Sequence, residues 1–271
     1  MSAYTLENSR PEQARLGAQA SILRAHDRAL LDGVELKPGS SAVDLGCGPG
    51  GSLDLLSETV GPTGRVLGVE IDAGNVSAAR ALVDRQRLSN VQIANGDARR
   101  TGLPSSSVDL AHTRLLLVNI SGPEQVVAEM ARIVRPGGWI AVMEPDVALR
   151  VCHPPHPGVE RLTELLAAAY RRDGADRYLG RRLPHLFATA GLVEIVAEAH
   201  ADVCPPGHPQ RSVIPDLVRN MRAKILAQGL VGERELDHLD REAREHLGDS
   251  GTLILPVTYF LAWARKPASA T

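Results

Sequence analysis

Aromatic residues are scarce in this 271-residue chain: two Phe, two Trp and four Tyr make up 3% of it. Its core must therefore rest on Leu, Val, Ile and Ala, which a hydrophobic content of 44% allows. Cysteine is equally sparse. Cys47, Cys152 and Cys204 are too few and too scattered for a disulfide framework, which points to a reducing compartment. No apolar run approaches the ~20 residues a membrane span requires. The N-terminal MSAYTLENSRPEQARLG also lacks the charged-then-apolar order of a signal peptide. Neither sign of charge dominates: 30 Lys and Arg against 32 Asp and Glu leave a net charge of −2. Basic residues are not interleaved with aromatics, so a nucleic-acid or anionic-membrane partner has no footprint. A cytoplasmic protein with a small-molecule partner is the expectation, and a homo-oligomer stays open.

What is present is a rhythm. Ser41 to Leu45, Arg65 to Ile71, Val91 to Ala94, Val108 to Thr113 and Trp139 to Glu144 read as strands. Between them Leu53, Leu56 and Val60, then Val76, Ala79 and Val83, then Val127, Met130 and Val134 recur at helical spacing. Pro136-Gly137-Gly138 is expected to end the third of these helices. Such alternation predicts a largely parallel sheet covered on both faces, with any ligand at the strand C-termini. Beyond Pro145, helices are expected through Leu162, Leu165 and Ala169 and through Leu183 and Phe187. Leu192 to Ala199 and residues 252–266 are expected as the last two strands. The predicted organisation is a helical cap at 1–35, a core at 36–200 and 252–271, and a helical insertion at 201–251 serving as a substrate lid.

The informative stretch is VDLGCGPGG, residues 43–51, between the first strand and its helix. Gly46, Gly48 and Gly50 let backbone approach a ligand where a Cβ would obstruct it. Gly46, Gly48 and Gly51 also satisfy G-x-G-x-x-G with Glu70 downstream, the pattern of a dinucleotide site. Charge separates the two. A dinucleotide brings a pyrophosphate to the helix N-terminus, whereas Asp44, Glu70 and Asp97 put three acids at three successive strand ends. Asp44 suits an ammonium, Glu70 a pair of ribose hydroxyls and Asp97 an adenine amino group. That set fits a cationic, adenine-bearing ligand such as S-adenosylmethionine (SAM) better than a diphosphate.

With GVEID (68–72), NGDA (95–98), VDLAHTRLLL (108–117) and IVRPGGWIAVMEPD (133–146), the first 150 residues resemble the class I SAM-dependent methyltransferases. The small-molecule branch that includes quinone C-methyltransferases is the most similar. This resemblance implies an α/β, Rossmann-like sheet of seven strands, mostly parallel with the last antiparallel, plus a helical lid. It implies SAM as cofactor and methyl transfer to a quinone, isoprenoid, polyketide or other secondary metabolite. It also implies Gly46 near the methionyl part, Ile71 against adenine, Asp97 with Ala98 at the adenine edge, and Arg114 at the methionyl end. Arg15, in EQARL (12–16), resembles a segment that closes over SAM. Asn119 departs from the pattern, because many relatives carry a His there, and no catalytic residue is assigned.

Other features read more plainly. Cys152, His153 and His156, with Cys204 and His208, lack paired metal-ligand spacing, so no metal is expected. His112 reads as a hydrogen-bonded structural histidine. The basic run YRRDGADRYLGRR (170–182) reads as solvated helix ends, with an anionic substrate as the alternative. Arg211, Arg219, Arg222 and Lys224 read as an ordinary charged helical surface. A non-catalytic SAM-binding protein, a SAM-assisted rearrangement enzyme and an NAD-dependent oxidoreductase remain the competing functions.

Overall fold

The computed structural model describes residues 10–268, with side chains from Arg15 onward. The first nine residues of the expected N-terminal cap lie outside the described residues. Helix α1 (Arg10–Asp32) leads into β1 (Ser41–Leu45), α2 (Leu53–Val60), β2 (Arg65–Glu70), α3 (Ala73–Gln86), β3 (Val91–Asn95) and β4 (Val108–Arg114). A single 3-10 turn (Leu117–Asn119) precedes α4 (Pro123–Ile133), β5 (Val134–Asp146), β6 (Val151–His153) and α5 (Pro157–Arg172). Then come α6 (Leu183–Thr189), β7 (Val193–His200), α7 (Val213–Asn220), α8 (Arg222–Ala227) and α9 (Glu233–Gly248). The last strands are β8 (Leu253–Leu255) and β9 (Thr258–Arg265).

The main sheet has seven strands in the order β3-β2-β1-β4-β5-β9-β7. Strands β1 to β5 pair in parallel, while β9 runs antiparallel to both β5 and β7. The expected seven-stranded sheet, with its final strand reversed, is therefore the one observed. Side chains alternate along each strand with period two. In β5, Trp139, Ala141 and Met143 join the core on the α1 and α2 face, while Ile140 and Val142 join the one under α4 and α6. In β9, Leu261 and Trp263 join the first core, and Ala262 and Ala264 the second. Strand order reverses between β1 and β4. That switch point is where parallel sheets of this kind open a crevice at their carboxyl ends.

Two expectations about elements are corrected. Helix α4 ends at Ile133, and Val134 already has extended backbone (φ −68°, ψ 136°). Val134 packs in the same apolar cluster as Met130 and Ile133, so helical spacing carried past the true end. Pro136-Gly137-Gly138 instead lies at a register shift early in β5, where Gly137 N–H donates to Lys266 O and Gly138 O accepts from Lys266 N–H. The stretch 252–266 is not one strand. Pro256, which has no N–H to give a ladder, separates β8 from β9. β8 instead pairs antiparallel with β6 in a small second sheet that the sequence reading missed.

Helices α7, α8 and α9 form one apolar layer with α5: Leu162, Leu165 and Leu166 share a core with Leu217, Ile225 and Leu236. Arg211 anchors this layer, so its reading as an ordinary surface cation is corrected. It is buried, and its guanidinium donates to the carbonyls of Leu247 (2.6 Å), Cys204 (2.8 Å), Asp249 (2.8 Å) and Thr252 (2.9 Å). Those four carbonyls belong to the end of α9 and the chain beside β8, which satisfies groups a helix terminus leaves open. Among the described residues no helix is long and apolar enough to cross a membrane.

Candidate functional site

A cavity of about 840 Å³ opens at the carboxyl ends of β1, β2 and β4 and extends under α7 and α8. Its sheet side is built by the loop after β1. Gly46 and Cys47 donate N–H bonds to Val69 O at 2.8 and 3.1 Å, which ties this loop to β2. Gly46 (φ +70°) and Gly48 (φ +55°) both sit in the left-handed region that favours glycine. A Cβ at Gly48 would meet no atom within 4 Å, so its α-carbon faces open space, whereas one at Gly46 would strike Leu116 at 2.8 Å. Gly50 does not line the cavity. Its φ is +101°, and a Cβ there would press on Leu53 and Leu82, so it serves helix packing.

The three acids at strand ends do converge on the cavity, each already engaged. Glu70 is buried; its Oε2 accepts from Gly48 N–H and its Oε1 from Asp72 N–H, both at 2.9 Å. Burial pushes the Glu70 carboxyl above its ordinary range, against the pull of those N–H groups. Asp44 Oδ1 bonds the fully buried His112 through Nδ1 at 2.8 Å, and His112 Nε2 has no partner. Asp97 is gripped by Arg99, whose Nε and Nη2 donate at 3.0 and 2.7 Å and whose backbone N–H adds a bond at 2.9 Å. The Arg99 side chain holds Asp97 below the usual carboxylate range.

Arg15, Ile71, Ala98 and Arg114 also line the cavity. Ile71 is 55% exposed at its rim, an unusual place for a large aliphatic residue. Arg114 Nη1 pairs with Asp27 of α1, and burial raises the Asp27 carboxyl despite that guanidinium.

Sequence reasoning missed several cavity residues. Arg99 sits two places after a residue it had singled out. The segment Leu115–Ile120 forms a wall, held from beneath by the fully buried Glu144. Glu144 accepts from the N–H groups of Leu117 (2.6 Å) and Val118 (3.2 Å), and burial pushes its carboxyl up to about 8. Asn119 donates through Nδ2 to Leu115 O (2.7 Å) and accepts through Oδ1 from Tyr170 OH (2.9 Å). Tyr259 of β9 is 4% exposed and lines the cavity with Val257, Val213, Ile214 and Leu217. The basic run divides. Arg181 and Arg182 pair with Asp146 and Asp176 near the surface, but Arg177 is 7% exposed and reaches the cavity, which corrects its reading as a solvated helix end. Likewise Lys224 lines the cavity and pairs with Asp173 at 2.6 Å. His156, set aside as a metal ligand for want of paired spacing, caps α5 by accepting Gly158 N–H and stacks on His246 at 4.6 Å. Among the described residues no cluster of three or more His, Cys, Asp or Glu could hold a metal.

Sheet order and strand-end cavity together define a class, the Rossmann-like methyltransferase fold. The YcgJ protein from Bacillus subtilis shares it, with a TM-score of 0.62 at 16% identity over 90% of this chain and 100% of that one. Residues 43–142 match the methyltransferase domain family. An uncharacterised 37.1 kDa protein of transposon TN4556 from Streptomyces fradiae is 31% identical over 226 residues, 82% of this chain and 64% of that protein. Nocamycin O-methyltransferase of Saccharothrix syringae is 34% identical over 118 residues, 44% of this chain and 42% of that enzyme. The chain thus spans less than two thirds of either relative.

Proposed function

We propose that this protein transfers a methyl group from SAM to a small-molecule acceptor. The observation that carries this reading is Glu70. Its carboxylate accepts the Gly48 amide, so the glycine loop presents a negative charge rather than a set of free N–H donors. A pyrophosphate would meet that charge at close range, which argues against the dinucleotide alternative. Ribose hydroxyls can instead donate to the lone pairs Glu70 retains. Ile71 on the exposed rim would cover the adenine ring, with Asp97 and Ala98 at its edge. Asp44 would face the ammonium, and the open α-carbon of Gly48 would admit the ligand closely.

The bound SAM would supply a methyl group already activated by its sulfonium. The residues of this chain then have to hold the acceptor in line and exclude water. Val213, Ile214 and Leu217 of α7 and Val257 give the cavity apolar lining, and the acceptor would occupy that half of it. Under this reading α7 and α8, within residues 201–251, act as the substrate lid over that half.

The test is calorimetric titration of SAM and of S-adenosylhomocysteine, followed by mass detection of methylated products from a panel of phenols, quinols, carboxylic acids and amines. Micromolar or tighter binding and one methylated class are expected. Folded protein that binds neither ligand would sink the reading, and binding without turnover across the panel would favour a rearrangement or binding role.

A further inference from the structure

Five cations line the cavity, and their partners differ. Arg99 pairs with Asp97, Arg114 with Asp27 and Lys224 with Asp173. Arg177 has no carboxylate at ion-pair distance among the described residues, although it is 93% buried by virtue of its 7% exposure. Its Nη1 lies 3.4 Å from Tyr170 OH, its carbon centre sits 4.7 Å over the Tyr170 ring, and its Nε is buried without any hydrogen bond. A guanidinium stays charged under all ordinary conditions. Burying one without an anion is unfavourable, and folded chains rarely retain it without a use. Glu144 is the acid whose charge senses Arg177, but both its oxygens are turned to the backbone of Leu117 and Val118.

Beside Arg177 lies a neutral donor. Burial pushes the Tyr259 phenol up to about 12, against the pull of three cations that it senses, Arg177, Arg15 and Arg114. Tyr259 O accepts from Gln210 Nε2 at 3.3 Å, which leaves its own proton free to donate. A planar guanidinium beside a neutral hydroxyl suits a carboxylate, which it can grip through two parallel N–H bonds. Val213, Ile214, Leu217 and Val257 give the same cavity apolar lining.

On the methyltransferase reading above, we infer that the acceptor is an apolar molecule bearing one carboxylate, and that Arg177 with Tyr259 binds that carboxylate. The group orients the acceptor body along the apolar wall, with Arg177 acting as a specificity residue rather than a proton carrier. A carboxylate could also come from SAM itself, and the two sources separate cleanly by experiment.

The experiment titrates matched acid and amide pairs, octanoate with octanamide and 2-naphthoate with 2-naphthamide, into the protein with and without saturating S-adenosylhomocysteine. At least one acid is expected to bind tenfold or more tightly than its amide. Arg177→Met should abolish that preference, Arg177→Lys should retain part of it, and the affinity for S-adenosylhomocysteine should stay within about threefold in both. Equal binding of acid and amide by the wild type, or binding of neither, would overturn the inference. So would a preference that survives Arg177→Met, or a parallel loss of S-adenosylhomocysteine affinity, which would give Arg177 to the cofactor. If Arg177→Met does not fold, Tyr259→Phe must narrow the acid preference, and an unchanged preference there overturns it. Failure of the wild type to bind S-adenosylhomocysteine strikes the methyltransferase reading instead, while the titration without it still decides for or against Arg177.

Discussion

At the scale of single residues the site turns on how each carboxylate is engaged. Glu70 organises the glycine loop and, in the proposed reading, the ribose; replacing it touches both. Glu70→Ala removes the acceptor of the Gly48 and Asp72 amides along with the ribose contacts. Losing a charged acceptor of this kind costs about 1.5–3 kcal/mol, or roughly a 10- to 150-fold rise in the dissociation constant for SAM. Calorimetry on a variant that keeps its far-ultraviolet dichroism checks this; unchanged affinity would remove Glu70 from the site. Glu70 was legible in the sequence because a strand end fixes where its side chain goes, and the same holds for Asp44 and Asp97. Gly50 was misread because spacing does not say whether a glycine faces a ligand or, as here, Leu53 and Leu82. Arg177 was misread for a different reason. It lies in a loop between α5 and α6, where no periodicity distinguishes a buried cation from the surface ones at 171, 172, 181 and 182.

At the scale of elements, the wall from Leu115 to Ile120 depends on Glu144 at the end of β5. Its carboxyl rises from the ordinary 4.5 to about 8 in the folded chain. Between those values the folded state holds a proton that the unfolded state releases, so this group lowers stability as pH rises through the window. His26, lowered by burial, works in the opposite direction below about pH 6.5. The clear interval is therefore pH 6.5 to 8. There the wild type should lose stability with a slope of up to about 1.4 kcal/mol per pH unit from Glu144. Glu144→Gln should flatten that slope, and it should also lower stability by about 1–3 kcal/mol because an amide NH₂ replaces one acceptor against a backbone N–H. Urea midpoints measured at three pH values decide it; parallel slopes for the two proteins would refute the assignment. Neither Glu144's role nor the pairing of β6 with β8 was readable from the sequence. Both join segments more than 20 residues apart through backbone groups, and three-residue strands carry too few side chains to show a period. Strands β1 to β5 and β7 were readable because each carries several Val, Ile, Leu or Ala residues, whereas β9 was merged with β8 across Pro256.

At the scale of the whole molecule the open question is whether residues 201–251 are a separate body or part of one core. The sequence suggested an insertion, since polar and Pro-rich chain interrupts the alternation of strands and helices. The packing argues for continuity: a single apolar cluster runs from Leu23 and Leu30 of α1 through Trp139 and Leu261 of the sheet to Leu162, Leu217 and Leu236 of the helical layer. Arg211 then ties the end of α9 to the chain that enters β8, which leads directly into β9, one strand in from the β7 edge of the sheet. If that continuity governs unfolding, damage at Arg211 must be felt by all of the chain. Arg211→Met leaves four carbonyls without their donor and should cost about 3–4 kcal/mol. For a chain of this size that lowers the melting temperature by about 10 °C. Calorimetry should then show one transition, displaced as a unit, and S-adenosylhomocysteine should raise it in both proteins by mass action on the native state. A second, early transition in Arg211→Met, which leaves a ligand-stabilised one in place, would mean that the helical layer opens independently of the sheet. In that case the layer would be free to move as a lid without disturbing the cofactor half, and continuity of the apolar cluster would have to yield to local opening.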